Sequence, residues 1–265
     1  MRQTNPVRLS VSPLEGREVP ACIVAHPAPD TIVIIGDGAS DTVVLRDNGA
    51  GFITGSATGA GAFAFAGIRN IRVATGGGND VVTYTLAGHL LPTQQRGVSV
   101  DLGPAAWWGG SDRFTANLYN PATGVGSDLL FGSSLTLNVF GGDGPDSIYV
   151  NASRDTDVAF GAKLSMNLSG GTGADNIQTY WWGENDGQVS LWADGGNGAD
   201  LIRGRFQEAL GSTGKVAGVV KGGEGNDNLG LFLFTLHPPT VGLLDGGLGI
   251  DVGFNTPNVT KINCP

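Results

Sequence analysis

Apolar and polar residues alternate at period two in a series of short runs, and the runs come in pairs. Residues 134–140 (SLTLNVF), 163–169 (KLSMNLS), 188–194 (QVSLWAD), 215–221 (KVAGVVK) and 240–245 (TVGLLD) each precede a glycine-rich turn. Residues 146–151 (DSIYVN), 175–182 (DNIQTYWW), 200–206 (DLIRGRF) and 227–234 (DNLGLFLF) each follow one. Successive side chains leave a strand on opposite sides, so this period marks a strand with one buried face. Each unit reads as strand, turn, strand and a variable return loop.

The turn repeats as well. Complete copies of G-G-x-G-x-D stand at 141–146, 170–175, 195–200, 222–227 and 246–251. Degenerate copies end at Asp80 (TGGGND) and Asp112 (WWGGSD), and a poor one (GDGASD) ends at Asp41. From Asp80 to Asp251 the closing aspartates are 32, 34, 29, 25, 27 and 24 residues apart. A unit of this size cannot bury its apolar face alone, whereas a stack of units can. The pattern predicts an all-β fold: a β-solenoid or β-roll of about seven two-stranded coils, with glycine-aspartate turns stacked along one edge. The solenoid is expected over 31–265, strongest over 134–255, behind a flexible tail of residues 1–30.

Composition supports the stack. Glycine makes up 45 of 265 residues, more than twice the usual share of ~7%, without a collagen period. The net charge of −9 argues against nucleic acid, whose phosphates need a basic surface, and suits a cation. In a stack the aspartates form a ladder at about 5 Å spacing, where two carboxylates repel by about 1 kcal/mol in water and more at lower dielectric. A hard divalent cation held by carboxylate and carbonyl oxygens relieves that repulsion, and calcium takes six to eight such oxygens flexibly. The bland alternative is a set of tight turns that use Asp and Gly for backbone reasons alone.

GGTGADNI and GGNGADLI resemble the repeats-in-toxin (haemolysin-type) calcium-binding nonapeptide, G-G-x-G-x-D-x-U-x. The resemblance covers roughly residues 70 to 255. It implies Ca2+ held between successive turns, with Asp146, Asp175, Asp200, Asp227 and Asp251 as carboxylate ligands. It further implies carbonyl ligands from Gly141, Gly170, Gly195, Gly222 and Gly246, and from x positions such as Asp143, Thr172, Asn197 and Glu224. Asp80 and Asp112 would close weaker sites. In that family the nonapeptides run in tandem, with turns on both edges. Here each stands alone in a longer unit, so calcium is expected along one edge, with four strong sites between five full motifs.

Other features carry other readings. Trp107 and Trp108, and Trp181 and Trp182, form two WW pairs of which one member each should face outward; such rings could stack on the sugars of a cell-surface polysaccharide. The simpler reading is local packing. His26, His89 and His237 show no metal-ligand spacing, and no nucleophile elbow or phosphate loop appears, so no enzyme is expected. Arg203, Arg205 and Lys221 beside the motifs leave a polysaccharide lyase or epimerase as a remote alternative. RLSVSPLEGREVPA (8–21) resembles an L-E-x-R-x-x-P-A leader of bacterial surface and exported proteins. That resemblance implies an extracellular or cell-surface location, although no apolar signal peptide and no transmembrane segment is present. Cys22 and Cys264 stand at opposite ends of the chain, which an elongated fold would keep apart.

Overall fold

The computed structural model describes residues 22–103, 110–235 and 241–264. Among these the chain is all-β, without a helix. The alternating runs become strands that stack in parallel, each beside its equivalents in the neighbouring units. One sheet runs Ile23–Ala28, Thr31–Ile35, Asn70–Ala74, Gln95–Asp101, Ser134–Asp143, Lys163–Thr172, Gln188–Asn197, Lys215–Glu224, Val241–Leu248, Val259–Ile262. The other runs Gly61–Phe65, Ile53–Ala57, Thr42–Asp47, Val81–Leu86, Arg113–Asn117, Ser147–Ala152, Asn176–Gly183, Leu201–Glu208, Asn228–Phe234, Val252–Asn255. This architecture is compatible with a β-solenoid.

The parallel register places like on like. Leu135, Leu164, Val189 and Val216 form one inward row of the first sheet, and Val139, Leu168, Ala193 and Val220 another. Across the core, Ile148, Ile177, Ile202 and Leu229 form the facing row of the second sheet. These side chains are almost wholly buried, and burying each fully contributes about 1.5–3 kcal/mol. Where one sheet presents a large residue the other yields: Gly218 leaves the space that Leu231 fills, and a Cβ on Gly218 would lie 2.9 Å from the Leu231 Cδ1.

The N-terminal part departs from the simple repeat. Residues 22–28, assigned to a tail on sequence grounds, are part of the sheet: Ile23–Ala28 pairs antiparallel with Thr31–Ile35. Residues 1–21, including the leader-like segment, lie outside the described residues. Thr42–Asp47 turns back through Asn48–Gly49 into two further antiparallel strands, which no repeat unit foreshadows. The two cysteines are free and buried. Burial, followed by the neighbouring Asp41 carboxylate, pushes the Cys22 thiol up to about 12. Cys264 lies at the other end, its Cβ near Gly253. Seven strand spacings of about 4.8 Å separate the coils of Asp41 and Asp251, far more than a disulfide spans.

One buried ion pair stitches the irregular region to the stack. Arg96 Nε donates to Asp47 Oδ2 at 2.5 Å, and its guanidinium also reaches the Ile68 carbonyl. The Tyr84 hydroxyl donates to the same carboxylate at 2.9 Å, and the Gly49 amide to its other oxygen at 2.8 Å. Removing one partner of such a pair strands a charge in the core. Arg96→Met should therefore lower stability by about 3–5 kcal/mol, read as a fall in the urea midpoint; a shift below 1 kcal/mol would show that the pair is solvated.

Candidate functional site

The glycine-aspartate turns join the two sheets, and the turn at 222–227 shows why its residues are what they are. Gly223 has φ +106° and Gly225 φ +134°, a region that favours glycine. Contact with the preceding coil is just as restrictive. A Cβ on Gly223 would lie 1.9 Å from the carbonyl oxygen of Gly196, and one on Gly225 1.5 Å from that of Gly198. A Cβ on Gly222 would meet Asp227 Oδ2 at 2.2 Å and the Gly246 carbonyl oxygen at 2.4 Å. Close stacking of corner on corner thus accounts for all three glycines without invoking a ligand.

The closing aspartates form a continuous ladder. The backbone N–H of Asp41 donates to Asp80 Oδ1 at 2.7 Å, that of Asp80 to Asp112 at 2.6 Å, and that of Asp112 to Asp146 at 2.8 Å. The series continues from Asp146 to Asp175, Asp175 to Asp200 and Asp200 to Asp227 at 2.8 Å, and from Asp227 to Asp251 at 2.9 Å. Every one of these aspartates is buried, none more than 3% exposed. Their carbonyls are used too: that of Asp175, for example, accepts from Leu201 N–H at 2.8 Å.

On every rung but Asp112 one carboxylate oxygen is left over. Oδ2 of Asp80, Asp146, Asp175, Asp200, Asp227 and Asp251, and Oδ1 of Asp41, are buried without a hydrogen-bond partner. In the five complete motifs this oxygen shares its surroundings with a backbone carbonyl of the next coil. Around the point where a Cβ on Gly170 would sit, Asp175 Oδ2 lies at 2.3 Å and the Gly195 carbonyl oxygen at 2.6 Å. Gly141, Gly195 and Gly222 repeat the arrangement with Asp146, Asp200 and Asp227, and Gly246 does so with Asp251 and the Asn263 carbonyl. Both oxygens lie against the same glycine Cα, and the carboxylate oxygen is left without a donor, a buried hydrogen-bonding demand that a proton or a cation would fill.

Burial disfavours the charged carboxylates. It raises Asp146 to about 7, against the Asp112 N–H bond and with the charges of Asp112, Asp175 and Asp143 adding to it. Asp112, Asp175 and Asp200 are raised to about 6, burial being the largest cause in each. Asp80 and Asp227 move in the same direction for the same reason.

As a donor set the ladder has the right type for a hard cation: an unpaired carboxylate oxygen and a carbonyl oxygen in each gap, with no nitrogen or sulfur. It is sparse in number. Among the described residues no three His, Cys, Asp or Glu side chains converge on one point. The Thr172, Asn197 and Glu224 carbonyls each accept an N–H from the fourth-position glycine of the preceding coil at 2.6–2.7 Å. The Thr172 hydroxyl donates to Asp143 Oδ1 at 2.7 Å on the exposed side of the turn.

Of the other candidates, Trp107 and Trp108 lie outside the described residues. Trp181 points into the core, 2% exposed, with its Nε1 donating to the Thr156 carbonyl at 2.9 Å, so alternation along the strand removes it from any surface platform. Trp182 faces outward at 38%. Lys221 lies on the outer face of the first sheet beneath Trp192, whereas Arg203 and Arg205 lie on that of the second, so the three do not share a site.

Sequence reasoning left Asp41 out of the ladder because its turn lacks two glycines; its position before Asp80 was the available signal. It also missed a second, shorter ladder at the return edge. There the Asp128 N–H donates to His89 Nδ1 at 3.1 Å, that of Asp157 to Asp128 at 3.0 Å and that of Glu184 to Asp157 at 2.7 Å.

These features define a class: an all-β protein of stacked parallel strands with a buried aspartate ladder at one edge. The chain matches no family model, no curated protein and no solved structure. Among the described residues no helix is long and apolar enough to cross a membrane.

Two outcomes follow from the geometry of the turn. Gly225→Ala should cost at least about 2 kcal/mol through backbone strain and overlap, whereas Gly38→Ala, with nothing within 4 Å of the added Cβ, should leave the thermal midpoint within about 2 °C. Because Asp112, Asp146, Asp175 and Asp200 hold protons more tightly folded than unfolded, their contribution is complete below about pH 4 and is lost as pH rises through 6–7. In chelator the thermal midpoint should accordingly fall between pH 5 and pH 8; a flat or rising profile would contradict it.

Proposed function

We propose that this protein is a calcium-binding structural or adhesive repeat protein, exported or held at the cell surface, whose turns take up Ca2+ between stacked coils. The observation that carries this reading is the buried aspartate oxygen left without a hydrogen-bond partner in coil after coil, from Asp146 to Asp251. The resemblance of the turns to the repeats-in-toxin nonapeptide supports it, as does the acidic chain. Asp146, Asp175, Asp200, Asp227 and Asp251 would supply Oδ2, and the first-glycine carbonyls of the following coils would supply a second oxygen. Bound calcium would neutralise carboxylates that burial otherwise pushes toward the protonated form. The leader-like segment agrees with a location where calcium is abundant and weak sites of ~10⁻⁴ to 10⁻³ M would fill.

A metal-free solenoid is the second reading, favoured by two observations: stacking alone explains the glycines, and the raised carboxyls can hold a proton where a cation would sit. Calcium titration of the chelated protein at pH 8, by calorimetry with circular dichroism alongside, separates the two. About four sites that fill with a gain in stability are expected for calcium; absence of heat, with the thermal midpoint unmoved, means a solenoid that needs no ion.

Asp200→Asn sharpens the distinction. It keeps the Oδ1 acceptor for the Asp175 N–H and replaces the unpaired Oδ2 with an amide N–H. The variant should lose calcium stoichiometry and gain stability in chelator at pH 8, by about 1 kcal/mol. Unchanged stoichiometry would remove Asp200 from the ligand set.

A further inference from the structure

The outer face of the second sheet differs from the rest of this acidic chain. Its outward positions include Arg46, Arg113, Arg203 and Arg205, and its strands place no aspartate or glutamate outward. The only acids within these strands, Asp47 and Glu208, are buried. The outer face of the first sheet, by contrast, mixes Asp101, Asp194 and Asp245 with Lys163, Lys215 and Lys221. Among the described residues neither Arg203 nor Arg205 has a carboxylate partner.

Arg113, Arg203 and Arg205 line depressions on this face. The largest, about 420 Å3, is walled by Tyr180, Arg203, Arg205, Phe232, Phe234 and Phe254, with Gly230 as its floor. A second, of about 310 Å3, shares Tyr180 and Arg205 with it and extends to Trp182 and Gln207. A third, of about 190 Å3, continues along the same face between Arg113, Tyr149 and Gln178. Tyr149 and Tyr180 bridge the series with ring centroids 5.9 Å apart. The Arg205 guanidinium lies 5.4 Å from the Phe234 ring centroid, and the Tyr180 hydroxyl donates to Gln178 at 3.1 Å. A Cβ on Gly230 would stand 2.9 Å from the Phe232 ring edge, so the glycine keeps this floor open.

The geometry points to a binding face for an anionic polysaccharide laid along the stacking direction, with carboxylated sugars as the chemical class. Depressions that share or adjoin their lining residues over several coils fit a chain better than a single small molecule. Unpartnered guanidinium groups recognise carboxylates by paired N–H donors. Flat aromatic rings receive the apolar faces of sugar rings, and the amides of Gln178 and Gln207 both donate to and accept from hydroxyls. A single-stranded nucleic acid also combines charge with stacking, and binding of oligothymidylate separates it from a sugar chain. This inference uses neither the calcium ladder nor its occupancy.

Calorimetry with hexagalacturonate, on protein whose β-spectrum is verified, tests it in calcium and again in chelator. Binding is expected, with maltohexaose inert and with Arg203→Gln and Arg205→Gln each weakening affinity about tenfold while leaving the spectrum intact. No heat with hexagalacturonate, equal binding of hexaglutamate or oligothymidylate, or unaltered affinity in both variants would overturn it. Failure of the calcium titration with the sugar result intact would overturn the ladder reading alone.

Discussion

The hydrogen bond from one aspartate amide to the carboxylate of the next coil is the contact on which this structure turns. It is made seven times in succession, from Asp41 to Asp251. At each step it satisfies a buried N–H that would otherwise cost about 1–3 kcal/mol. It also sets the corner of one coil directly over the corner of the last, and the strands leaving that corner inherit its register. A slip of one residue would turn the inward rows of leucine and valine to solvent. The aspartate is thus a positional lock as well as a charge.

The lock leaves a residue of tension, because a carboxylate has two oxygens and the ladder uses one. In the five complete motifs the other is buried against a glycine and has no donor. A proton and a hard cation are chemically distinct answers to the same demand, and they exchange roles with pH. Acid favours the proton, and the proposed calcium would answer the same demand where acid is scarce. Both readings of the ladder therefore rest on one atom per rung, and the glycines favour neither, since stacking already requires them.

Parallel stacking has a second consequence. Because each outward position recurs in the next coil, a face acquires a character that no single strand possesses. The second sheet gathers arginines and aromatic rings, while the first gathers aspartates among its polar residues. The interior carries the same logic in reverse, as Trp181 and Phe206 occupy one row and Gly204 and Gly218 yield space nearby. The irregular N-terminal strands are tied in differently, through the buried Arg96–Asp47 pair and the Tyr84 hydroxyl.

Much of this was legible in the sequence. Period-two runs such as SLTLNVF and KLSMNLS determined strands with one buried face, and the recurring G-G-x-G-x-D determined that corners repeat with an aspartate in each. Local backbone chemistry suffices for both, since alternation and glycine turns are short-range properties. The sequence did not determine which aspartate oxygen would be used and which left over, because that depends on an amide some 24–39 residues away. Nor did it place residues 22–28 in the sheet, join Arg96 to Asp47, send Trp181 inward and Trp182 outward with their separate fates, or collect Arg113, Arg203 and Arg205 on one face. Those outcomes rest on which residues become neighbours across coils, and only the packed stack, in which distance along the chain no longer measures distance in space, decided them.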